Sequence, residues 1–219
     1  MTMETVAGRI YGAIKEKIID GRYPPGGRIT EQQVAAEFNT SRTPVREAMR
    51  QLVADGFARF KPNSGTVVRE WSAEEMRQIF ELRVLIESEI AGYAATRITA
   101  EELAELVRIQ DDIERNGPDI GTENTARIGR LNREFHRIVA QASRNERLVS
   151  MLASAIEVPI VQQTFRQYTS KRLARSFGHH RELIDAFQTR DSAWAQSVMS
   201  SHIHSAKQTL LAEKLHDNA

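Results

Sequence analysis

The chain has 219 residues, 41% of them hydrophobic and 27% charged, with no cysteine and a formal net charge of +1. It is long enough for one large or two modest cores and too apolar for a disordered chain. Disulfide and thiolate chemistry are excluded, any metal must be held by histidine, carboxylate, amide or water, and the short, charge-broken apolar runs exclude a bilayer-spanning segment. Met1 to Gly8 lacks a basic start followed by an apolar stretch, so the expected location is the cytoplasm, a reducing compartment that suits a cysteine-free chain.

Charge is unevenly distributed. Met1 to Glu70 carries eleven Lys/Arg against eight Asp/Glu, a balance of +3, and subtraction from the totals of 30 and 29 leaves nineteen against twenty-one, or −2, in the rest. A mild basic excess in the first third points toward a polyanionic partner there.

Val6, Ile10, Ile14 and Ile18 recur every fourth residue, which predicts an amphipathic helix over Thr5 to Asp20, stopped by Gly21. Tyr23-Pro24-Pro25-Gly26-Gly27 must turn. Thr30 and Gln33 form a capping box that opens a short helix bearing Val34, Ala35 and Phe38. A third helix is expected from Thr43-Pro44, burying Val45, Ala48, Met49, Leu52 and Val53 and closing at Gly56. Phe57 to Lys61 and Thr66 to Arg69 are β-prone, with Pro62-Asn63-Ser64-Gly65 as the hairpin turn between them. Three helices and a hairpin are the order of a winged helix-turn-helix.

From Ser72 the pattern is long helices with clear starts at the capping boxes Ser72/Glu75 and Thr99/Glu102. Helices are expected over Ser72 to Arg97, Thr99 to Asn116, Glu123 to Ser143, Glu146 to Tyr168 with a kink at Pro159, Lys171 to Thr189 and Ser192 to Lys214. The predicted fold is mainly α: a winged helix-turn-helix over residues 1–71 with a small β-hairpin wing, then an all-α antiparallel bundle of about six helices over 72–219.

Ser41-Arg42-Thr43-Pro44-Val45-Arg46-Glu47-Ala48 gathers two guanidinium groups and two hydroxyls at the start of the third helix. The N-terminal residues of a recognition helix enter the major groove. Arginine there can pair with both acceptors on a guanine edge, while hydroxyls meet phosphate oxygens. Arg42 and Arg46 lie one turn apart, and Arg50 continues the line toward the backbone of a duplex. The small polar Asn63, Ser64 and Gly65 suit a wing that approaches phosphates or the minor groove. The competing reading is a solvated helix face with a local Arg46–Glu47 pair and a plain hairpin turn.

Residues Ile10 to Val68 resemble the DNA-binding domain of the GntR family, whose Ser-Arg-Thr-Pro-Val-Arg-Glu-Ala pattern stands here as Ser41 to Ala48. The resemblance places base and backbone contacts on Arg42, Thr43 and Arg46, with Gly65 in the wing. A further contact position in the short helix, often arginine in the family, is Gln32 here.

Asn132 and His136 share one helix face, and His180 and His202 come from two later helices. If they converged they could hold a divalent cation; histidines so placed can equally be surface or hydrogen-bonded core residues. Ser72 to about Leu211 resembles the FCD type of GntR effector domain: Glu81-Leu82-Arg83 with Glu87, Asn132-x-x-Phe135-His136, His180-Arg181-x-Leu183 and His202. The resemblance implies a metal on Asn132, His136, His180 and His202, zinc first with nickel or manganese as the other candidates, and a small carboxylate completing its coordination. Asn132 stands where Asp is more usual in the family. Arg83 would take the carboxylate as a bidentate fork, with an intrahelical pair to Glu87 as the alternative. His179, His204 and His216 fit the set less well, although His179 could substitute for His180 in a shifted register. The expected molecule is a homodimeric, ligand-responsive repressor on a double-stranded DNA operator, not an enzyme. The alternatives are a metal-dependent enzyme acting on a small organic acid, and a DNA binder with a purely structural metal.

Overall fold

The computed structural model describes residues 5–19, 21–62, 65–115, 117, 122–155 and 168–216. These divide into two compact units that part between Ser72 and Ala73.

The first unit runs α1 (Val6–Ile19), β1 (Arg28–Ile29), α2 (Glu31–Glu37), α3 (Arg42–Ala54), β2 (Ala58–Lys61) and β3 (Gly65–Val68). Ile10, Ile14 and Ile18 are buried as the four-residue spacing demands, and they share a core with Val45, Ala48, Met49 and Leu52 of α3. Each fully buried aliphatic side chain contributes about 1.5–3 kcal/mol. Val6 and Val53, expected on the buried faces, are exposed: Val6 sits at the very start of α1, and Val53 lies one position past the Val45–Leu52 stripe.

The wing is a three-stranded antiparallel sheet of order β1-β3-β2, not a bare hairpin. Arg28 faces Val67 and Ile29 faces Thr66, while β2 pairs from Ala58 opposite Val68 to Lys61 opposite Gly65. Gly26 N–H donates to the Val68 carbonyl at 3.1 Å and Val68 N–H to the Gly27 carbonyl at 2.8 Å, extending the β1 edge into the Pro-Gly turn. A two-residue strand is too short to show the alternation by which strands are read.

The second unit contains six helices and no strand among the described residues: α4 (Ala73–Arg97), α5 (Ala100–Arg115), α6 (Thr122–Ala142), α7 (Glu146–Ala155), α8 (Ser170–Gln188) and α9 (Ser192–His216). The expected end of the fourth bundle helix, with its kink at Pro159, lies outside the described residues. Tyr168 is not helical and precedes Thr169, whose hydroxyl caps α8 by accepting from Arg172 N–H. The Thr99/Glu102 capping box is complete, with Thr99 N–H donating to Glu102 at 3.0 Å and Glu102 N–H to the Thr99 hydroxyl at 3.2 Å. Helices α4 and α9 pack closely where Gly92 leaves room, since a Cβ there would lie 2.5–2.9 Å from Gln196 and Ser192. The core face of α4 is apolar at Met76, Phe80, Ile90 and Ala94 but carries buried Arg83 and Glu87 in its middle, which sets charge inside the bundle.

Candidate functional site

Helix α3 begins one residue earlier than expected, at Arg42, with extended Ser41 as N-cap. Pro44 therefore occupies the third helical position. Proline has no N–H, which removes one of the two amides an N-cap hydroxyl can accept from, and Ser41 makes no side-chain capping bond. Ser41, Arg42, Thr43, Arg46 and Arg50 are all exposed, with the arginines in line along the exposed flank of the buried stripe Val45, Ala48, Met49 and Leu52. Arg46 does not pair with Glu47. It forms a fork to Glu31 of α2, Nε and Nη2 each donating at 3.0 Å. Those hydrogen bonds, aided by the charges of Arg42 and Arg50, hold the Glu31 carboxyl below the usual range. Gln32, next to Glu31, is exposed. Gly65 opens β3 at a positive φ of 79°, a conformation suited to glycine. Asn63 and Ser64 lie outside the described residues.

In the second unit, α6 supplies Asn132 and His136, α8 His180 and α9 His202. One ring nitrogen from each histidine lies within 4.8 Å of the others, and the Nε2 atoms of His136 and His202 are 3.2 Å apart. Asn132 is buried, and its Oδ1 has no hydrogen-bond partner; neither does Nε2 of His180 nor Nδ1 of His202. Burial, reinforced by the neighbouring imidazoles, pushes His180 and His202 well below the ordinary histidine pKa, so both are neutral with a lone pair to offer. Buried polar atoms without partners are costly. Imidazole lone pairs and an amide oxygen are donors that a divalent cation accepts, so these residue types fit the metal that the family resemblance implies.

The histidine cluster is braced from behind. His136 Nδ1 donates to Glu87 Oε2 at 3.3 Å, and Glu87 Oε1 accepts from Arg83 Nε at 2.7 Å. Burial pushes the Glu87 carboxyl up, but the Arg83 charge and the contacts with His136 outweigh it and hold the group at about 2. His180 Nδ1 lies 2.9 Å from Gln110 Oε1, and the His180 ring stacks on Phe135 with centroids 4.2 Å apart and planes within 6°. Such outer partners fix the tautomer and aim of metal-binding imidazoles.

Arg83 is thus buried and already paired within its helix, over the Phe80 ring at 4.9 Å. A carboxylate ligand would have to share it with Glu87. His179 stands half-buried beside the cluster, its ring 5.8 Å from His202 and its Nδ1 without a partner, but it is not among the converging nitrogens. His204 is exposed, and the side chain of His216 lies outside the described residues. Glu134 turns away into an ion pair with Arg137, which leaves no general base at that position. Gln110 went unread in the sequence although a signal exists: it interrupts the apolar stripe Leu106, Ile109, Ile113 of α5.

Two family descriptions match the chain: bacterial regulatory proteins of the gntR family over residues 6–68, and the FCD domain over residues 78–205. The chain belongs to the GntR family. Among relatives, the probable D-xylose utilization operon transcriptional repressor of Paenarthrobacter nicotinovorans is 28% identical over 203 residues, 93% of this chain and 88% of that protein. The Exu regulon transcriptional regulator of Escherichia coli K12 is 28% identical over 227 aligned positions, 93% and 84% of the two chains. The solved structure of E. coli McbR/YncC has the same fold, with a TM-score of 0.79 at 20% identity over 97% of this chain and all of that one. As a GntR-family member with an FCD domain, the chain is a transcription regulator rather than an enzyme. No helix among the described residues is long and apolar enough to cross a membrane.

Proposed function

We propose that the chain is a homodimeric repressor that reads a pseudo-palindromic operator with two copies of α3 and responds to a small carboxylate bound at a metal in the FCD domain. The observation that carries this reading is the convergence of His136, His180 and His202, with the unpartnered Asn132 oxygen on the same helix as His136. In it, the winged unit occupies residues 1–71 and the effector-binding unit 72–219. Arg42, Thr43 and Arg46 meet bases and phosphates, assisted by Ser41, Arg50 and Gln32, with the wing residues Asn63, Ser64 and Gly65 against the backbone. The exposed line Arg42–Arg46–Arg50 supports that assignment.

Bound zinc, nickel or manganese would supply a Lewis-acidic centre for a carboxylate oxygen. His136, His180, His202 and Asn132 hold the ion, while Arg83 gives the ligand a counter-charge it otherwise shares with Glu87. Ligand affinity must differ between the operator-bound and released states for this to regulate anything.

The test uses full-length protein without a histidine tag. Metal content is measured directly, carboxylic acids are screened by thermal shift with and without chelator, and hits are added to retardation assays on duplexes selected from a random pool. Acids that stabilise only the metal-loaded protein and release the duplex support the proposal. Retardation that no metal or acid alters overturns the regulatory part, and absence of retardation overturns the whole.

A further inference from the structure

We infer that Gln110 is a positioning residue: clamped by Glu114, its amide fixes His180 as the Nδ1–H tautomer and so turns a bare Nε2 toward the histidine cluster. The inference takes its functional sense from the metal reading above, but its structural content stands apart from it.

Gln110 is fully buried on α5, between His180 on one side and Glu114 on the other. Its Nε2 lies 2.8 Å from Glu114 Oε1 and 3.5 Å from the Phe177 carbonyl. An ionised carboxylate and a backbone carbonyl can only accept, so the group turned toward them must be the NH₂. Of the two ways an amide can be placed, one is thereby excluded. The Gln110 oxygen then faces His180 Nδ1 at 2.9 Å, and an oxygen without a proton obliges that nitrogen to donate. A neutral imidazole carries one N–H, which leaves Nε2 as a lone pair. It is this Nε2 that is buried with no partner.

The clamp itself is anchored. Arg181 donates to Glu114 through Nε at 2.8 Å and Nη2 at 2.7 Å, and to Asp111 at 2.6 Å. His180 and Arg181 are adjacent on α8, while Gln110 and Glu114 are one turn apart on α5. Hydrogen bonds run from His180 to Gln110, Glu114 and Arg181, and the α8 backbone between His180 and Arg181 closes the ring, with the would-be ligand at the inner end and an ion pair at the outer end. A leucine at position 110 would leave His180 Nδ1 without an acceptor, and the proton would be free to move to Nε2, where it opposes a cation.

The experiment observes histidine ring nitrogens directly, by long-range ¹H–¹⁵N correlation on full-length, chelator-treated protein labelled at histidine, with His180→Gln to assign the resonance. Wild type is expected to show His180 as Nδ1–H, and Gln110→Leu a tautomer mixture. In parallel, zinc competition against a chromophoric chelator should show affinity falling about 10- to 100-fold in Gln110→Leu. The conservative Gln110→Glu keeps an oxygen opposite His180 Nδ1, and it should retain the Nδ1–H tautomer that Gln110→Leu loses. If Gln110→Leu does not fold, Glu114→Ala at the exposed end of the ring should shift the tautomer in the same direction. A wild-type Nε2–H tautomer, or a Gln110→Leu spectrum and zinc affinity equal to wild type, would overturn the inference. A Gln110-dependent tautomer in a protein that binds no zinc would uphold it while removing the metal reading.

Discussion

Replacing Asn132 by Asp should change the sign of its effect with the metal. Asn132 is 5% exposed and its Oδ1 has no partner, so the new carboxylate would be buried one helical turn from His136 and in the same bundle as the Glu87 charge. An isolated buried charge costs roughly 3–5 kcal/mol. Proton uptake by the carboxylate or a neighbouring imidazole relieves part of this, leaving about 2–4 kcal/mol in the metal-free protein. At about 2–4 °C per kcal/mol for a chain of this size, Tm in chelator should drop by about 5–15 °C. Zinc supplies the missing counter-charge, and an anionic oxygen binds it more tightly than an amide, so the loaded variant should melt at or above loaded wild type. The interval between zinc and chelator then widens by about the same 5–15 °C, which paired scanning calorimetry of both proteins measures. An interval equal to that of wild type would mean that position 132 does not face the ion, and the proposed ligand set would be wrong.

Loss of both guanidinium groups in Arg42→Ala with Arg46→Ala should weaken binding to a selected duplex by about 10- to 100-fold or more, with circular dichroism unchanged because both residues are exposed. Unaltered retardation would refute the recognition-helix assignment. Metal-free protein should lose stability as pH falls below about 6.5: the unfolded chain protonates His180 and His202 there, whereas burial keeps them neutral in the fold. Each then contributes about 1 kcal/mol of destabilisation per pH unit, read as a falling urea midpoint between pH 7 and 5; a flat profile would contradict it. Phe135→Ala removes a fully buried ring that stacks on His180 and should cost about 3–5 kcal/mol. A loss under 1 kcal/mol in urea titrations would show that the ring does not brace the cluster.

The helices of both units were legible because their caps and apolar spacing are local. Thr99 and Glu102 cap each other as the sequence indicates, and Ile10, Ile14 and Ile18 lie in the core. Strand β1 was not legible, since two residues carry no period and its partner is some forty positions away. The histidine positions were readable from a family pattern, but their convergence and the support behind them were not. Gln110 meets His180 across 70 positions, and Arg46 meets Glu31 across 15, so neither contact has a local signature. Local spacing did offer Arg83–Glu87 as one alternative, and the structure realises it; what spacing could not show is that the pair is buried against His136.

Because β3 is hydrogen-bonded on both sides, the strand following the wing tip is stitched into the domain independently of the residues that join it to β2. An isolated two-stranded ribbon is marginal in water, whereas a third strand lets the base persist whatever sits at the tip. The connection between positions 62 and 65 can therefore lengthen or change composition over evolutionary time without unzipping its foundation. The composition of that connection can then drift separately from the stability of the domain that carries it.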